Sequence, residues 1–140
     1  MNREISPEAG YAAEQAQHEL DMIDLNISHE NANVDQIETL IRQLKDRQDA
    51  AKELLKAAQR TLNKPQEPGM ACDFYAAPTR DKRTAEAVLA ECAKKIPFAQ
   101  ERLVGVKARR AQWEARKKEF SEDSMRAKQW LNALRNRMRS

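Results

Sequence analysis

Glycine, cysteine and aromatic residues are all scarce in this chain, and long apolar runs are missing. Only 3 of the 140 residues are glycine. That leaves few places for tight turns and no glycine-rich loop to cradle a phosphate. Aromatic residues make up 5%, which points to a thin core and a large surface. No run of about eighteen apolar residues occurs, so no membrane-spanning helix is expected. The polar opening Met1–Pro7 lacks the apolar centre of a secretory leader. The two cysteines, Cys72 and Cys92, match neither a metal nor a redox spacing. A reducing, cytoplasmic setting is the simple expectation.

The residues of catalysis are missing too. The sequence has no nucleophile elbow and no Cys–His pair with a third member. Glu14, His18 and Asp21 share a helical face, but no second His or Cys stands close, and His29 lies three turns away. The sequence therefore predicts neither an enzyme nor a holder of metal or cofactor.

Charge, by contrast, is abundant: 34% of residues are charged, with a net charge of +3. The balance is uneven along the chain. Residues 1–79 carry 8 basic and 14 acidic side chains, whereas residues 80–140 carry 17 basic and 8 acidic. Halves of opposite sign attract each other, or two separate partners.

Apolar residues recur at alternating spacings of four and three, the pattern of a coiled-coil seam. One seam runs from Ala9 to Leu62, with 14 of 16 positions apolar; a second runs from Ala85 to Met138, with 13 of 16. Ser6 can cap the first helix, and Pro7 suits its first position. The expected elements are a helix over about 7–63, a loop over about 64–79 that contains Pro65, Pro68, Gly69 and Pro78, and a helix over about 80–138 started by Thr79 or Thr84. Ser28–Asn33 favours turns, and Pro97 and Gly105 weaken the second helix. Both seams keep their phase across these points, so continuous helices are expected, with a kink near Pro97. The fold class is all-α: a long antiparallel two-helix coiled-coil hairpin. The alternative, with true turns at Ser28–Asn33 and Pro97, is a compact monomeric four-helix bundle.

Two seams of equal length suggest a register. Folded about the loop so that Leu62 faces Ala85, the hairpin sets Ile27 against Phe120 and Val34 against Trp113. Large then meets small in most layers. Glu30, the one acidic seam residue, falls opposite Lys117. A slip of seven residues also aligns the stripes, and then Glu30 meets Arg110. The full-length register is preferred because it uses all of both helices. Leu40, Leu54, Val88 and Trp130 lie beside the seams and widen them. A stripe that wide calls for more cover, so a homodimer forming a four-helix bundle is expected.

Three surfaces are candidates for binding. Met70, Phe74 and Tyr75 lie at the loop tip, where they either anchor a partner or fold back to plug the end of the bundle. Arg102, Arg109 and Arg116 recur every seven residues, and Arg135 and Arg137 continue the basic character to the end. Such a flank binds phosphate backbones or acidic partners, or is simply balanced by the acidic N-terminal helix. Only Trp130 offers the exposed ring that single-stranded nucleic acid stacks on. The third surface, the acidic face from Glu8 to Glu38, is either solvated charge or a decoy for a basic groove.

The functional expectation is a non-enzymatic coiled-coil interaction module: an adaptor, an assembly chaperone or an inhibitor of a larger protein. In shape alone it is similar to secretion-apparatus stalks, assembly chaperones and phage-encoded inhibitors. The alternative is a nucleic-acid-binding protein that uses the basic flank.

Overall fold

The structure, a computed structural model, describes residues 7–65 and 74–139, with side chains from residue 11. It contains two α-helices, α1 (Pro7–Leu62) and α2 (Ala76–Arg139), and no strand among the described residues. They pack against each other as a two-helix hairpin.

Proline at the first position of α1 costs nothing, because the first four amides of a helix have no internal acceptor. Ser28–Asn33 stays helical. Its polar side chains bond across to α2 instead of turning onto their own backbone: Arg110 donates to the Asn31 side-chain oxygen at 3.3 Å. Val34, only 4% exposed, continues the seam on the far side. At the C-terminus of α1 the Asn63 amide donates to the Gln59 carbonyl at 2.9 Å, and the Lys64 amide to the Thr61 carbonyl at 3.2 Å. These bonds tighten the last turn before Pro65. The helix is thus one residue shorter than expected.

The second helix starts earlier than the expected position near residue 80. It begins at Ala76, with Pro78 inside its first turn. The missing amide of Pro78 is one that the helix would leave unpaired anyway. Thr79 and Thr84 do not start the helix. Their hydroxyls bond back to the carbonyls of Tyr75 (2.6 Å) and Arg80 (3.0 Å). Pro97 is tolerated in the interior because it faces outward: it is exposed, while Ile96 and Ala99 on the inner side are buried. The Ala93 carbonyl that loses its donor sits on an exposed residue, where water can replace it. Both proposed turns are therefore helix, and the four-helix alternative falls.

By their internal contacts the helices divide into two compact units, Met1–Val34 with Gly105–Ser140, and Asp35–Val104. Every buried residue among the described ones lies on the two seams. Ile23, Val34 and Val106 belong to the first unit. The second holds the larger core, from Ile37, Ile41 and Leu44 on α1 to Cys92, Ile96 and Ala99 on α2. Leu44, Cys92 and Ile96 form its centre, with Val88 packed against them. Each large side chain buried there stabilises by about 1.5–3 kcal/mol.

The register departs from the expected one. In the first unit Arg109 Nε lies 3.5 Å from Glu30 Oε1, and Lys117 Nζ lies 2.7 Å from Asp24. Lys117 is therefore not the partner of Glu30. The pairing is shifted by about seven residues, two helical turns, toward the alternative that brought Glu30 to Arg110. The second unit agrees, with the Cys92 thiol donating to the Leu44 carbonyl at 3.6 Å. The early start of α2 accounts for the shift. The Tyr75 hydroxyl donates to the Lys64 carbonyl at 2.6 Å, which ties the ends of the two helices together closer to the loop than a start near residue 80 allows.

Candidate functional site

In the second unit, residues one position after a seam residue on α1, namely Glu38, Lys45, Lys52 and Gln59, are polar and exposed. Those one position before include four large apolar residues, Leu40 and Leu54 on α1, and Val88 and Phe98 on α2, among polar ones such as Arg47, Lys95 and Arg102. On α1 the large apolar side chains thus fall on one flank. Phe98 is 65% exposed and Leu40 is 41% exposed. They line a groove of about 450 Å³ whose floor includes Ile37, Leu44 and Ala99.

The same groove is rimmed by Arg47, Lys95 and Arg102. Glu91 accepts from Lys95 Nζ at 2.5 Å and lies 3.3 Å from the Arg47 guanidinium. The Lys95 hydrogen bond, and then the charges of Arg47 and Lys95, hold the Glu91 carboxyl below its ordinary range. One carboxylate therefore serves two cations. Arg102 has no ion-pair partner among the described residues. The rim carries net positive charge over an apolar floor.

The arginine row is not a uniform surface. Arg102 sits on this groove, Arg109 is engaged with Glu30, and Arg116 lies over the Trp113 ring, 5.6 Å from its centroid. Arg135 lines a shallow depression with Lys128 and Leu131. Arg137 stands in the last turn of α2, where a cation suits the helix end. Each of these five groups has its own surroundings.

At the loop end, Phe74 and Tyr75 meet edge to face with ring centroids 5.0 Å apart, and both are half-buried. With its hydroxyl on Lys64, Tyr75 is held as part of the closure. Met70 lies outside the described residues.

The first unit has a second apolar groove, of about 280 Å³. The observed register sets small residues on both sides here, Ala13 and Ala16 on α1 and Ser124 and Ala127 on α2. Trp130, 65% exposed, stands at its edge.

Among the described residues, no group of three His, Cys, Asp or Glu side chains could hold a metal ion. Cys92 is fully buried in the core. No helix among the described residues is long and apolar enough to cross a membrane.

Phe98 is the residue that sequence reasoning missed. Its signal was available, since it precedes a seam alanine as Leu40 precedes Ile41. The neighbouring Pro97 drew attention to helix breaking instead.

No protein-family model, no curated protein and no solved structure matches this chain.

Proposed function

We propose that the chain is a non-enzymatic coiled-coil interaction module that docks on a larger protein, as an adaptor, an assembly chaperone or an inhibitor. The observation that carries this reading is Phe98, a phenylalanine 65% exposed beside Leu40 on an apolar groove. Leaving such a ring in water forgoes about 1.5–3 kcal/mol that burial would supply. Clustered exposed apolar side chains mark interaction surfaces, whereas single scattered ones do not. The unbroken spacing of four and three supports coiled-coil packing of the two seams. The buried Cys92 thiol suits a reducing compartment such as the cytoplasm.

Nucleic acid is the weaker reading, because Arg109 and Arg116 are engaged within the chain. A tagged pull-down from cell extract, with and without nuclease, tests the choice. A stoichiometric protein that survives nuclease, and that Phe98→Ala releases, is the expected result. Loss of all captured material on nuclease treatment would move the function to nucleic acid.

A further inference from the structure

We propose that the groove between Leu40 and Phe98 receives an amphipathic helix with acidic flanks. The proposal rests on the interaction-module reading and names the chemistry of the partner. Leu40 and Arg47 on α1, with Lys95 and Arg102 on α2, bound a trough about two turns long, the length over which a helix lays down two or three apolar anchors. Ile37, Leu44 and Ala99 give those anchors an apolar floor, and Phe98 supplies a wall. A third helix lying there would cover the apolar flank that the hairpin leaves open.

Charge selects the partner. The rim holds Arg47, Lys95 and Arg102, and among the described residues Glu91 is the one carboxylate bound to it. Glutamates or aspartates beside the incoming apolar stripe would meet this excess. A second copy of the same face would bring like charge against like charge. A phosphate backbone would meet the rim but leave Leu40 and Phe98 uncovered.

The test uses the full chain and two labelled helical peptides with the same leucine stripe, one flanked by glutamate and the other by lysine. Fluorescence anisotropy should show the glutamate peptide binding at least about tenfold more tightly, with the preference shrinking as salt rises. Phe98→Ala should weaken binding of that peptide about tenfold. Arg102→Glu should erase much of the preference. Both residues are exposed, and circular dichroism should show unchanged helix content. Equal binding of both peptides, or no binding of the glutamate peptide, would overturn the proposal. So would a dimer by sedimentation that Phe98→Asp dissociates, since the groove would then belong to a second copy. A nuclease-resistant protein released by Phe98→Ala, alongside peptides that show no preference, would remove the acidic chemistry alone and leave the interaction module standing.

Discussion

Arg109 Nε lies 3.5 Å from Glu30 Oε1, and this contact pins the two helices of the first unit in one register. The neighbouring contact of Arg110 with Asn31 and the Lys117–Asp24 pair agree with it. The same alignment sets Val34 and Val106, both about 5% exposed or less, at one level. In a chain whose Cys72 and Cys92 are changed to alanine, Val34→Cys with Val106→Cys should crosslink on oxidation. Val34→Cys with Trp113→Cys should not. Non-reducing electrophoresis decides, and crosslinking of the second pair alone would put the helices two turns out of the register described.

That register marks the limit of what the sequence could tell. The seams were legible: the buried residues among the described ones, such as Ile23, Val34, Ile37, Ile41, Leu44, Ile96, Ala99 and Val106, all fall where spacings of four and three placed them. The pairing of the seams was not, because a pattern that repeats every seven residues fits equally well after a slip of seven. The deciding feature was local, namely the start of α2 at Ala76 with Pro78 in its first turn. The groove was half legible. Leu40 stood out beside its seam, whereas Phe98 was hidden behind Pro97.

Glu30 is a poor stabiliser for the position it holds. Its side chain is 14% exposed, and its Oε2 is buried without a hydrogen-bond partner. The facing Arg109 is largely solvated, so the pair returns little of the desolvation cost. Glu30→Leu should therefore raise stability by about 1 kcal/mol in urea or thermal unfolding. Arg109→Ala, which strips the carboxylate of its partner, should lower it by about the same amount. The leucine variant should also admit some of the Val34–Trp113 crosslink, because a polar seam pair penalises wrong registers. A stability drop in Glu30→Leu would mean that the ion pair is worth more than its burial costs.

Acid should act on the second unit through Glu91. Its folded pKa lies below the ordinary value near 4.5, so the folded state favours the charged carboxylate. The stability it lends is complete above the unfolded value and is lost as the pH falls through the folded one. Glu91→Gln should therefore flatten the fall in stability below about pH 4.5, with a small loss at neutral pH, small because the group is exposed, and none in strong acid. Denaturant midpoints at several pH values would show it. Parallel curves for parent and variant would mean that the bridges to Lys95 and Arg47 do not persist in solution.

Gly105 gives the cleanest test of α2 as one uninterrupted helix. It stands inside that helix, and apart from its chain neighbours and the local helix backbone a Cβ built on it meets no atom within 4 Å. Its backbone lies outside the left-handed region that would demand glycine. Alanine then has nothing to strain, while glycine carries the entropy cost of ordering a freer chain. Gly105→Ala should raise stability by up to about 1 kcal/mol and the Tm by roughly 3 °C. Gly105→Pro should lower stability by about 3 kcal/mol, since it removes an internal hydrogen bond and clashes with the preceding turn. Calorimetry on the three proteins suffices. An alanine variant less stable than the parent, with a proline variant left unharmed, would place a break in the chain at this residue.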